Sequence, residues 1–170
     1  MLINALIFNL MWFGCIYWGN SFALLVPVWA VLHLHFSRNS KREACYVLLV
    51  TLLGTVTDSL LMHAGVFEFV QSDFIVPFWL IMIWLSFSLT LNASLKFLQG
   101  RTALQFLAGA VFPPLSYLAG KTLAAVSFGY STLLTLVLLS LIWSQLMMLF
   151  FRLSIWTGVN QAHEDNIHYA

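Results

Sequence analysis

Residues Ser37–His63 read SRNSKREACYVLLVTLLGTVTDSLLMH. Three cations, Arg38, Lys41 and Arg42, lead straight into an apolar run, Ala44–His63, whose single acidic residue is Asp58. A helix rises about 1.5 Å per residue, so twenty such residues match a hydrocarbon core of about 30 Å. Cations gather on the cytoplasmic side of membrane spans, so this loop is expected inside and the helix runs outward from it.

The rest of the 170-residue chain has the same character. It is 61% hydrophobic and 8% charged, with seven Lys and Arg against six Asp and Glu. So few charges cannot cover the surface of a water-soluble domain, and a net charge of +1 gives no reason to expect a nucleic-acid partner. The expected architecture is an all-α, polytopic transmembrane helical bundle of about six spans in a bacterial inner membrane, with both termini cytoplasmic. One transmembrane domain would occupy 1–156 and a polar cytoplasmic tail 157–170.

The spans are expected at about Leu2–Trp18, Phe22–Phe36, Ala44–His63, Ile75–Phe97, Thr102 to about Lys121, and Ser131–Arg152. The first begins without a Lys or Arg flank or a small-residue cleavage site, which reads as a retained span and not a removed leader. Gly19-Asn20-Ser21 and Gly129-Tyr130 are turn signals. A loop with Glu68 and Asp73 but no cation belongs outside. This orientation places Arg38, Lys41, Arg42, Lys96, Arg101 and Arg152 inside and leaves Lys121 as the sole outward cation. Val26-Pro27-Val28-Trp29 and Val76-Pro77-Phe78-Trp79 open two spans alike, either as a hairpin repeat or because proline suits a first helical turn and tryptophan an interface.

Asp58 falls about 20 Å along its span among apolar and small residues. A carboxylate at that depth needs a partner, and Lys121 is the expected one, its stem reaching back from the outer interface. The pair, or a protonatable carboxylate, would line an outward-facing cavity; the plain alternative is that Asp58 only pins helices together. His63, Glu68, Trp79 and Tyr117 fall near the same level, and Trp84 nearer mid-bilayer. The expected polar cluster is Asp58, Lys121, His63, Trp79, Trp84 and Tyr117, with aromatic walls suited to a small hydrophobic ligand. For Trp18, Trp29 and Trp79 a place in the interfacial aromatic belt is the better explanation.

His63 and Glu68 match no metal-ligand spacing, so no metal is expected, and no cofactor is indicated. His33 and His35 read as interfacial, and His163, Glu164, Asp165 and His168 as a solvated tail. Cys15 and Cys45 belong to distant ends of different spans. Pro113-Pro114 permits either a kink or a broken helix, and Asn9, Thr90, Asn92, Ser94, Ser144 and Gln145 can bond helices together.

The motifs Thr57-Asp58-Ser59-Leu60-Leu61, Gly65-Val66-Phe67 and Pro77-Phe78-Trp79-Leu80, with Trp84, Phe87, Thr90-Leu91 and Ser94-Leu95, resemble an uncharacterised family of small proteobacterial inner-membrane proteins. Pro114-Leu115-Ser116-Tyr117 with Ala119-Gly120 resembles its fifth span. The family is a domain of unknown function, so the resemblance implies no reaction. Its members lie near genes for fatty-acid modification and for light or oxidative-stress responses, which implies at most a lipid-related role.

Three functions follow as expectations. The first is binding of a lipid or isoprenoid-like molecule in a periplasm-side cavity, with modification of it or assistance to its modification by proton transfer. The second is a small-solute-binding transporter subunit that needs a membrane-protein partner. The third is a structural or assembly factor without chemistry.

Overall fold

The computed structural model describes residues 2–70 and 74–159. Asp73 and the tail residues His163, Glu164, Asp165 and His168 lie outside the described residues. In chain order the helices are α1 (Leu2–Trp18), α2 (Asn20–Ala23), α3 (Leu25–His35), α4 (Ser40–His63), α5 (Phe78–Leu91), α6 (Thr102–Thr122) and α7 (Thr132–Trp156). A 3-10 turn covers Lys96–Leu98, and β1 (Phe67–Glu68) pairs antiparallel with β2 (Ser127–Phe128). The fold is all-α apart from this ribbon.

Helices α4, α6 and α7 are long and apolar enough to cross a membrane, while α1, the α2–α3 segment and α5 are shorter apolar helices. Three such helices mark a membrane protein. Helix α4 buries Tyr46, Val50, Gly54, Asp58 and Leu61 along one stripe and exposes Leu48, Leu52, Val56 and Leu60 along another. An apolar outward stripe is at home in lipid and costly in water.

Two segments depart from the expected lengths. The stretch expected at Phe22–Phe36 is two helices, entered from Gly19 at φ 55° and joined at Leu24, with Pro27 in the first turn of α3. Helix α5 ends at Leu91, well before Phe97. Its side chains explain why. Asn92 Oδ1 accepts from Ser154 Oγ at 2.8 Å, and Ser94 Oγ donates to Asn4 Oδ1 at 2.9 Å. The Thr90 carbonyl takes the N–H groups of both Ala93 and Leu95, closing the helix. Polar side chains tied to other helices thus draw the chain into turns although it stays apolar in composition.

Helix α6 is continuous through Pro113-Pro114. Pro114 lacks the N–H that would bond the Ala110 carbonyl, and Ser140 Oγ of α7 donates to that carbonyl instead, at 2.8 Å. The neighbouring helix therefore repairs the gap that a broken helix would have opened. At Gly109 the two helices come so close that a Cβ would stand 2.9 Å from the Met147 Cβ. Helices α6 and α7 form one hairpin, while α5 lies among α4, α1 and α3. The main core, including Tyr46, Trp84, Trp143, Phe150 and Phe151, joins these two groups.

Candidate functional site

The inward stripe of α4 sets the site. Gly54 presents no side chain, and the indole of Trp84 from α5 occupies the space a Cβ would take. One turn further on, Asp58 is fully buried. Trp84 Nε1 donates to its Oδ2 at 2.7 Å, and the Tyr117 hydroxyl of α6 donates to the same oxygen at 2.5 Å. The other oxygen, Oδ1, has no hydrogen-bond partner among the described residues.

Both donors are clamped as rings. Trp84 stacks on Trp143 of α7 with centroids 4.6 Å apart and planes 4° apart. Tyr117 stacks on Phe67 at 4.8 Å and 8°. Phe67 is held in the β1–β2 ribbon, at whose end Gly129 passes close to Gly65: a side chain there would collide with the Gly65 carbonyl. Stacked rings lose little further entropy on making a hydrogen bond, so this arrangement holds the carboxyl group in one place.

The expected partner of Asp58 is corrected by this geometry. Lys121 Nζ instead donates to Thr132 Oγ1 at 2.6 Å and lies 4.8 Å from the centroid of the Phe128 ring. Lys121 sits at the α6–α7 hairpin end, where a hydroxyl and an aromatic face are closer to hand than a buried carboxylate. His63 is also apart from the cluster, its Nε2 2.9 Å from the Phe74 carbonyl at an exposed position. Of the six expected residues, Asp58 is in direct contact with Trp84 and Tyr117, and Trp79, Trp84 and Tyr117 line a cavity. Glu68 lies in the ribbon with its side exposed.

That cavity has a volume of about 430 Å³ between α1, α5 and α6. Trp12 and Ile16 of α1, Trp79 and Ile83 of α5, and Tyr117 of α6 contribute to its wall. Phe13, Phe112 and Leu115 line it and are also exposed, so the space opens sideways between α1 and α6. Asp58 does not line it; the carboxyl group lies behind Trp84 and Tyr117, which do. The arrangement places the side chain of Tyr117, whose hydroxyl is bonded to a buried carboxyl group, on the wall of an apolar chamber.

Phe67 and Gly54 were not singled out as site residues by sequence reasoning. The Gly at the i−4 position from Asp58 was the available clue. Elsewhere, His33 Nε2 lies 3.0 Å from Glu43 Oε1, within hydrogen-bonding distance. Glu43 also accepts from Ser37. This bracket ties the ends of the basic loop.

The family described as protein of unknown function (DUF2878) matches residues 1–149. The chain belongs to this family. The match spans α1 through most of α7 and so includes Asp58, Trp84, Tyr117 and the cavity wall. No curated protein and no solved structure matches the chain.

Proposed function

We propose that this DUF2878 protein is a six-span protein of the bacterial inner membrane, both ends cytoplasmic, that holds a lipid or isoprenoid-like molecule in its intramembrane cavity. The observation that carries the reading is a chamber of about 430 Å³, walled by aromatic and aliphatic side chains, that opens sideways toward the lipid-facing surface. Volumes of a few hundred Å³ with few polar groups suit small apolar ligands, and a lateral mouth admits them without passage through water. Short α1, α3 and α5 complete the span count if the bilayer thins around them or they are capped by polar turns. Tyr117, hydrogen-bonded to Asp58, is the group on the wall best fitted to give or take a proton, so modification of the ligand, or assistance to it, would run through this hydroxyl.

The test is the content of the purified protein. Extraction of the detergent-solubilised protein with organic solvent, followed by mass spectrometry, is expected to release about one apolar molecule per chain. Ile83→Trp, which fills the chamber, is expected to lose it. A wild-type protein without such a molecule, or equal amounts in Ile83→Trp, would count against the reading.

A further inference from the structure

We infer that the ligand ends in a neutral hydrogen-bonding head, an alcohol or carbonyl on a single apolar chain, and not in a phosphate or carboxylate. This rests on the cavity being a ligand site, as proposed above. None of the residues lining the cavity is charged. The seven Lys and Arg of the chain include none on its wall, and Lys121, the cation of α6 nearest to it in sequence, is committed to Thr132 and the Phe128 ring. An ionised head drawn into this wall would lose its hydration and gain no counter-charge. Phosphate sites are built from Arg, Lys or clustered backbone N–H groups.

The wall nevertheless carries unspent polar groups: the Trp143 Nε1–H has no hydrogen-bond partner among the described residues, and two more groups face each other from α1 and α6. Asn9 of α1 donates its Nδ2 to the Ala5 carbonyl at 2.8 Å, which leaves Oδ1 as an acceptor. The Ser116 hydroxyl of α6 makes no side-chain hydrogen bond to another described residue. Both line the cavity, from facing helices. A Cβ at Gly120 would stand 3.8 Å from Ile16 Cδ1, which fixes the relative height of α1 and α6. Measured from that contact along each helix, Asn9 and Ser116 lie about one turn apart in depth. An acceptor and a hydroxyl so placed can receive one neutral head, and they would be costly to leave bare in hydrocarbon.

The test uses the full-length, detergent-solubilised protein and three tritiated probes: geranylgeraniol, geranylgeranyl diphosphate and a hydrocarbon of the same chain. Saturable retention of the alcohol at least about tenfold tighter than the diphosphate is expected. In Asn9→Leu/Ser116→Ala, checked for an unchanged elution profile, the alcohol should weaken about tenfold, as loss of two modest hydrogen bonds implies, and the hydrocarbon should not change. Diphosphate binding as tight as the alcohol, or an alcohol affinity indifferent to the double variant, overturns the neutral-head inference alone. Absence of saturable binding for all three overturns both it and the proposed function.

Discussion

Trp84 donates its Nε1–H to Asp58 Oδ2 at 2.7 Å from a ring pressed flat on Trp143 and seated over Gly54. The carboxyl group is therefore the knot that ties α4 to α5 and, through Tyr117, to α6. Asp58→Ala strands two buried donors at once. Each such loss costs about 1–3 kcal/mol, so denaturant unfolding in detergent should show a destabilisation of about 2–6 kcal/mol. Asp58→Asn keeps a side-chain oxygen in place and should cost less. Equal stability of wild type and Asp58→Ala would contradict the knot.

Gly54→Ala should act on the same assembly from the opposite side. Its Cβ would enter the space of the Trp84 indole, and overpacking of this kind costs about 1–3 kcal/mol. Tryptophan emission should shift, because the ring leaves both Asp58 and Trp143. An unchanged spectrum and melting point would show that Trp84 is not seated as described.

Ser140→Ala should cost about 1–2 kcal/mol by leaving the Ala110 carbonyl without a donor. Pro114→Ala restores an N–H for that carbonyl. The two changes should therefore be non-additive, with Ser140→Ala nearly silent in the Pro114→Ala background. Strict additivity in this cycle would mean that the serine does not compensate for the proline.

The proposed orientation has a simple labelling outcome. In a background with Cys15→Ser and Cys45→Ser, Ser127→Cys in the β2 ribbon should react with a membrane-impermeant maleimide in intact cells. Phe97→Cys, beside Lys96, should react only after permeabilisation. The reverse pattern would invert the topology, and labelling of both in intact cells would contradict the six-span arrangement.

Much of the helical layout was legible because apolar length and the placement of cations act locally along the chain. The Ala44–His63 run is contained in α4, and Asp58 announced itself by being a carboxylate at depth. Its partners did not. Choosing Lys121 followed charge, but the choice of partner is made by the register between helices, and that register put Tyr117 and Trp84 at Asp58 and put Lys121 at Thr132. The early end of α5 was hidden for a related reason: Asn92 and Ser94 leave the helix because of Ser154 and Asn4, which are remote in sequence. Pro113-Pro114 permitted a kink or a broken helix, and the Ser140 hydroxyl bonded to the Ala110 carbonyl accompanies the continuous one. The cavity depends on α1 and α6 standing apart, a distance with no sequence signature.

The presence of a ligand is examined most directly by an experimental map of the protein in lipid nanodiscs, inspected between Trp12, Trp79 and Tyr117. Elongated non-protein density in that chamber, with its polar end beside Asn9 and Ser116, is the expected result. A chamber closed by α1 packing onto α6, with no such density, would contradict it.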